Sequence, residues 1–238
     1  MHKETFWLKD KEIANVYCRN NNELEIASLE KLPNKYAELI DFFGVQPPKI
    51  KINFIYSRTE MDKYWGSKSM ISAMVDNKDP YLIYIFSPLV FEKMTNHKVV
   101  EMLPIIVHET AHTFVTEING RCFSWVNEGI CEFVSGFAYE EQIEKKNWEW
   151  FRCNNAFIDT EIGWDNLIDH QGYNISTKLV RYIVKRCGKE AAFGLLKINR
   201  VPDKAIKNKI GKILGCGFDV FLDNFEKTVF PVGLEEGK

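Results

Sequence analysis

The sequence predicts an α+β fold, a mixed α/β N-terminal lobe followed by a helical C-terminal lobe. Residues 49–56 alternate between apolar and polar side chains, and residues 81–86 form an unbroken run of β-formers. From residue 99 onward, apolar residues recur at helical spacing instead. Strands confined to the first half and helices filling the second distinguish an α+β chain from one with alternating elements.

The elements are expected in the following order. Leu24, Ile26, Leu29, Leu32, Tyr36, Leu39, Ile40 and Phe43 place one helix over Glu23–Phe43, stopped by Gly44. Ile50, Ile52, Phe54 and Tyr56 share one side of a strand over Lys49–Tyr56. Pro80 introduces a second strand, Tyr81 to Phe86, bounded by Ser87-Pro88. A helix then runs from Val99 to about Ile118 and stops at Asn119-Gly120, with Pro104 in its first turn or at a kink. Ser124 suits the N-cap of the next helix. Further helices are expected at about Ser176–Cys187, closed by Gly188, and at about Glu190–Ile198, Asp203–Leu214 and Phe218–Val229. The division follows the change of pattern, residues 1–118 forming one lobe and residues 119–238 the other.

Composition narrows the function. With 45% hydrophobic residues in a chain of 238, a sizeable core forms without a disulfide framework. Basic and acidic residues number 31 and 33, which lacks the basic excess of a nucleic-acid binder. No leader-like apolar stretch opens the sequence, and no run approaches the roughly 20 apolar residues of a membrane span. A soluble, cytoplasmic protein with neither a membrane nor a nucleic-acid partner is expected. The cysteines (Cys18, Cys122, Cys131, Cys153, Cys187, Cys216) form no Cys-x-x-Cys pair and read as free thiols. Trp148, Trp150 and Phe151 read as core or lobe-contact residues, and Cys131 as a small buried apolar one.

The chemistry concentrates in His108-Glu109-Thr110-Ala111-His112. Helix positions i and i+4 share a face, so both imidazoles can reach one ion, and catalytic zinc keeps a position open for water. Glu109 lies one step round the helix, beside that water, as a candidate general base. Ile105, Ile106, Val107, Phe114 and Val115 make the helix apolar enough to be buried, where two histidines and a glutamate need a partner such as a metal. Trp125-Val126-Asn127-Glu128-Gly129 opens the next helix beyond the Asn119-Gly120 turn. An antiparallel return brings Glu128 opposite the histidines as third ligand. Glu132, one turn later, is placed to orient a ligand imidazole, with an exposed helix carboxylate as the alternative.

His-Glu-x-x-His followed by Trp-x-x-Glu-Gly resembles the gluzincin metallopeptidases, in particular their small peptidase MA-like members. The likeness spans about Lys49 to Phe230. It takes in the tyrosine-led stretch Tyr173–Ile183 with Gly188-Lys189-Glu190, and the aromatic stretch Phe218–Phe225. The resemblance implies a two-lobed gluzincin-like fold working as one catalytic unit, one Zn²⁺ per chain, and a peptide or protein substrate. His108, His112 and Glu128 are then the ligands, Glu109 the base acting on a zinc-activated water, and Glu132 a supporting carboxylate. It further implies a C-terminal oxyanion donor, Tyr173 by position or His170 as competitor, and substrate laid along an edge strand, Tyr81 to Phe86. Two alternatives stay open: a catalytically silent or regulatory binding module on the same fold, and a zinc hydrolase of non-peptide amides or esters.

Overall fold

Ile13, Ala14, Asn15 and Val16 are buried at successive positions, and so are Ile83, Tyr84, Ile85 and Phe86. Successive side chains of a strand point to opposite faces, so both faces of these two strands are covered. The computed structural model describes residues 2–19, 23–47, 49–68, 70–136, 142–202 and 204–231. Both runs belong to a five-stranded mixed sheet of β1 (His2–Leu8), β2 (Lys11–Cys18), β3 (Ile50–Ile55), β4 (Ala73–Val75) and β5 (Leu82–Phe86), in the order β1-β2-β3-β5-β4. Strands β2, β3 and β5 are parallel, and β1 and β4 pair antiparallel with β2 and β5.

The described helices are α1 (Glu23–Ala27), α2 (Leu32–Phe43), α3 (Arg58–Trp65), α4 (Phe91–Met94), α5 (Met102–Asn119), α6 (Ser124–Ser135), α7 (Lys145–Cys153), α8 (Trp164–Asp169), α9 (Gly172–Cys187), α10 (Lys189–Leu196), α11 (Ile206–Leu214) and α12 (Phe218–Val229). The protein is thus α+β. No helix among the described residues is long and apolar enough to cross a membrane.

In several places the structure departs from the sequence expectation for a physical reason. The single helix over Glu23–Phe43 is two, because Pro33 sits in the first turn of α2, where it has no N–H for a preceding helical turn. Tight bonds Leu29 N to Ile26 O and Leu32 N to Leu29 O fill the gap, and α2 closes on Gly44 at φ +67°. The β1–β2 hairpin has no counterpart in the sequence reading, since its turn is Lys9-Asp10 rather than a glycine pair, with Lys9 at φ +54°. Helix α9 starts four residues early, at Gly172, so Tyr173 lies in its first turn. Strand β5 is not an edge: β4 pairs with it through Ala73–Ile85, Met74–Tyr84 and Val75–Ile83, and β4 is the edge on that side. Pro104 falls in the first turn of α5.

The chain forms two compact units, Met1–Ile118 with Val134–Phe137, and Asn119–Phe133 with Ala138–Lys238. In the first, the Phe114 ring of α5 stands 5.2 Å from both Tyr36 and Phe43 of α2, so aromatic packing anchors α5 to α2 at that position. In the second, Phe157 is the hub of an aromatic core, its ring contacting Trp125 at 5.6 Å, Trp148 at 5.7 Å, Phe151 at 5.1 Å and Phe218 at 6.3 Å.

Candidate metal centre

Helix α5 buries polar residues among its apolar ones, and each needs a partner. The Thr110 hydroxyl donates to the Ile106 carbonyl and the Thr113 hydroxyl to the Thr110 carbonyl, both at 2.7 Å, which satisfies them within the helix. The histidines are arranged differently. His108 is buried and His112 half-buried, and their rings meet nearly edge to face at 84° with centroids 4.7 Å apart. Their Nε2 atoms stand 3.0 Å apart. Two zinc–imidazole bonds of about 2.1 Å, at angles between roughly 90° and 109°, require nitrogens about 3.0–3.4 Å apart. The pair fits that requirement.

Glu128, on α6, supplies the third donor. One ligand atom each from His108, His112 and Glu128 lies within 4.8 Å of the others. Two neutral nitrogens and one carboxylate oxygen form a donor set that suits a divalent transition metal and leaves room in its coordination sphere. The group can hold a metal ion.

Long-range contacts within the second unit fix the helix that carries Glu128. The buried Trp125 Nε1 donates to the Phe157 carbonyl at 2.8 Å. Arg200 braces the start of α6: its Nη1 donates to Ser124 Oγ at 3.0 Å, and its Nη2 donates to the carbonyls of Thr160 at 3.0 Å and Ile162 at 2.5 Å. Its own backbone N–H bonds the Arg121 carbonyl at 2.6 Å. Ser124 is therefore the first residue of α6 rather than the residue before it, and its hydroxyl serves Arg200. Gly129 lets α6 and α9 meet backbone to backbone, because a Cβ there would lie 2.6 Å from the Ser176 carbonyl oxygen. Sequence reasoning did not find Arg200, whose partners are all distant in the chain. For Gly129 the signal was its place directly after Glu128.

The other expected site residues stand as follows. Glu109 is half-buried on α5. Glu132 is 5% exposed, so the alternative of a solvated helix carboxylate does not hold. Tyr173 packs edge to face on Trp164, centroids 5.0 Å apart, and its hydroxyl accepts from Trp164 Nε1 at 3.4 Å. His170 caps the end of α8, stacks on Trp150 at 3.9 Å and 15°, and holds Nδ1 3.4 Å from Asn147 Oδ1. Neither Tyr173 nor His170 is one of the three converging residues. Trp148 and Phe151 are 1% and 0% exposed and belong to the core, and Cys131 is fully buried. The six cysteines are free thiols.

No protein-family description and no curated protein matches the chain.

Proposed function

We propose that the chain is a zinc-dependent hydrolase of the gluzincin type that cleaves peptide bonds in peptide or protein substrates. The observation that carries this reading is the convergence of His108, His112 and Glu128, with Glu109 directly beside the first of them in sequence. A bound zinc ion supplies an electrophile that polarises a carbonyl and lowers the pKa of water.

The chain's own residues do the rest. His108 and His112 would hold the ion through their Nε2 atoms, and Glu128 would add a negative oxygen that helps to balance its charge. Glu109 takes a proton from the attacking water and delivers it to the departing amine, which needs a carboxylate free to change protonation state. Glu132, buried four residues after Glu128 on α6, orients a ligand imidazole by accepting its second N–H. Tyr173 donates its hydroxyl to the developing oxyanion, with His170 as the competing donor.

A second reading rests on the 3.0 Å separation of the two Nε2 atoms, which also suits a direct hydrogen bond between neutral imidazoles. In that case the histidines form a structural pair, and the protein purifies without stoichiometric metal. Elemental analysis separates the two, with about one zinc per chain expected. Glu109→Gln then tests the chemistry, since it keeps the volume but cannot take a proton. Zinc content should be retained while cleavage of a peptide library falls roughly 100-fold or more. Activity undiminished in Glu109→Gln would place the hydrolysis elsewhere.

A further inference from the structure

Strand β1 is one edge of the sheet and pairs with β2. Among the described residues, no backbone hydrogen bond outside that ladder involves His2–Phe6, so the outward N–H and C=O groups of this edge are open to a further strand. The β1–β2 register shifts between Phe6 and Trp7, which leaves residues 2–6 as the regular stretch. Glu4 and Phe6 lie two apart and share one face of it. Glu23, Ile26, Ala27 and Glu30, from α1 and the turn after it, are spaced zero, three, four and seven, so they share one side of the helical run. Glu25 and Leu29, both fully buried, lie on its other side. Together with Glu4 and Phe6 these four residues line a groove of about 540 Å³. Its apolar walls are within reach of a ligand, since Phe6 and Ile26 are half-buried and Ala27 is exposed. Its charge is negative, with three carboxylates and no basic side chain among the lining residues. His2 Nε2 stands 3.5 Å from Glu4 Oε2. Glu23 and Glu30 are exposed, and their side chains make no hydrogen bond or ion pair among the described residues.

We infer that the β1 edge and its groove take an extended basic peptide segment, added to the sheet as a further strand. Main-chain bonds to β1 hold such a segment, and its alternate side chains, about 6.6 Å apart, enter the groove in step with Glu4 and Phe6. A pattern of basic, any, apolar, any, basic keeps all three groove-facing side chains on one face of the strand. The cations then meet the carboxylates, and the apolar side chain meets Phe6 and Ile26. Exposed ion pairs add little singly, so the backbone ladder carries the affinity and the carboxylates select the sign of the partner. A metal ion fits less well, because among the described residues it is His108, His112 and Glu128 that bring three donor atoms together, and the groove's carboxylates do not. A nucleic acid or an anionic bilayer is repelled by the same carboxylates. A second copy of the chain pairing through β1 brings its own Glu4, Glu23 and Glu30 to the same seam, where like charges oppose each other.

The test is fluorescence anisotropy with the full chain and a labelled Thr-Lys-Thr-Val-Thr-Lys-Thr peptide. Its counterpart with glutamate in place of lysine should not bind, and neither should a fully N-methylated version, which cannot donate main-chain hydrogen bonds. Binding should weaken with rising salt, and by at least about 10-fold in the double variant Glu23→Lys, Glu30→Lys. Both side chains are exposed, so thermal unfolding should be unchanged. If it is not, Glu30→Gln alone should show a smaller loss in the same direction. Binding should be the same in His112→Ala, which keeps this result apart from the fate of the metal reading. Equal affinity in wild type and the groove variants overturns the inference, and so does undiminished binding of the N-methylated peptide. A dimer in sedimentation that the peptide does not dissociate would assign the edge to a second copy and overturn it as well.

Discussion

Glu128 contributes the only carboxylate among the three converging residues, so its removal tests the group as a whole. Glu128→Ala and His112→Ala should each abolish tight zinc binding in a chelator-competition titration, and full occupancy in Glu128→Ala would remove it from the ligand set. Tyr173 calls for a finer measurement, because its hydroxyl already accepts a hydrogen bond from Trp164. Tyr173→Phe should cost about 1 kcal/mol in stability from that bond alone. A role at the oxyanion predicts in addition a fall in kcat of about 10- to 1000-fold, with KM and zinc content nearly unchanged. His170→Ala, which loses its stack on Trp150, should lower stability and leave kcat intact. The opposite outcome would make His170 the donor. Cys18 provides a pH test away from the site. Burial first, and the nearby Glu25 carboxylate second, push its thiol up to about 11. A raised thiol pKa means that the folded state holds its proton more firmly. The associated stability is therefore complete below about pH 9 and is lost as pH rises towards 11. Cys18→Ala should flatten the decline in urea midpoint across that window. At pH 8.5, iodoacetamide should modify the exposed Cys153 while Cys18 reacts only after unfolding.

At the scale of elements, the position of Glu128 depends on how closely α6 lies on α9. A Cβ at residue 129 would meet the Ser176 carbonyl oxygen at 2.6 Å, its carbon at 2.8 Å and Val180 Cγ2 at 2.7 Å. Two of these three atoms are backbone and cannot rotate away. Gly129→Ala should therefore lower unfolding stability by about 2 kcal/mol or more and weaken zinc binding, since the displaced turn carries Glu128. Trimming Val180 to Ala in the same protein removes one contact only and should not restore either property. An unchanged melting temperature in Gly129→Ala would show that the helices can separate at little cost. The histidines have a different anchor, Phe114 between Tyr36 and Phe43, so the helix that presents them is held by the α2 side of its own unit.

For the whole molecule, metal binding and folding should be linked. An ion that binds the folded chain and not the unfolded one stabilises it in proportion to the logarithm of its excess over Kd, by about 4 kcal/mol at a thousandfold excess. Chelation should lower the melting temperature of the wild type and leave that of His112→Ala unaltered. A wild-type melting curve indifferent to both chelator and added zinc would favour the hydrogen-bonded histidine pair instead.

The i, i+4 spacing of His108 and His112 determined by itself that the two rings share a helix face, because 3.6 residues per turn is a property of the backbone alone. Period-2 alternation likewise located β3, and the β-former run located β5, to within a residue or two. Helix α12 falls at Phe218–Val229 as its periodicity predicts. Local patterns are legible because their physics involves only neighbours along the chain. What the tertiary structure decided lies at larger separation. A three-residue strand, β4, is too short to announce itself, yet it takes the edge from β5. The hairpin hides behind Lys9-Asp10, where the left-handed φ of Lys9 is held by the paired strands rather than chosen by the residue. The bracing of α6 by Arg200 joins groups 38 to 76 positions apart, so no window of sequence contains both ends. The burial of Glu132 was likewise open in the sequence, because a carboxylate four residues after Glu128 reads equally as solvated or enclosed until the packing around α6 is known.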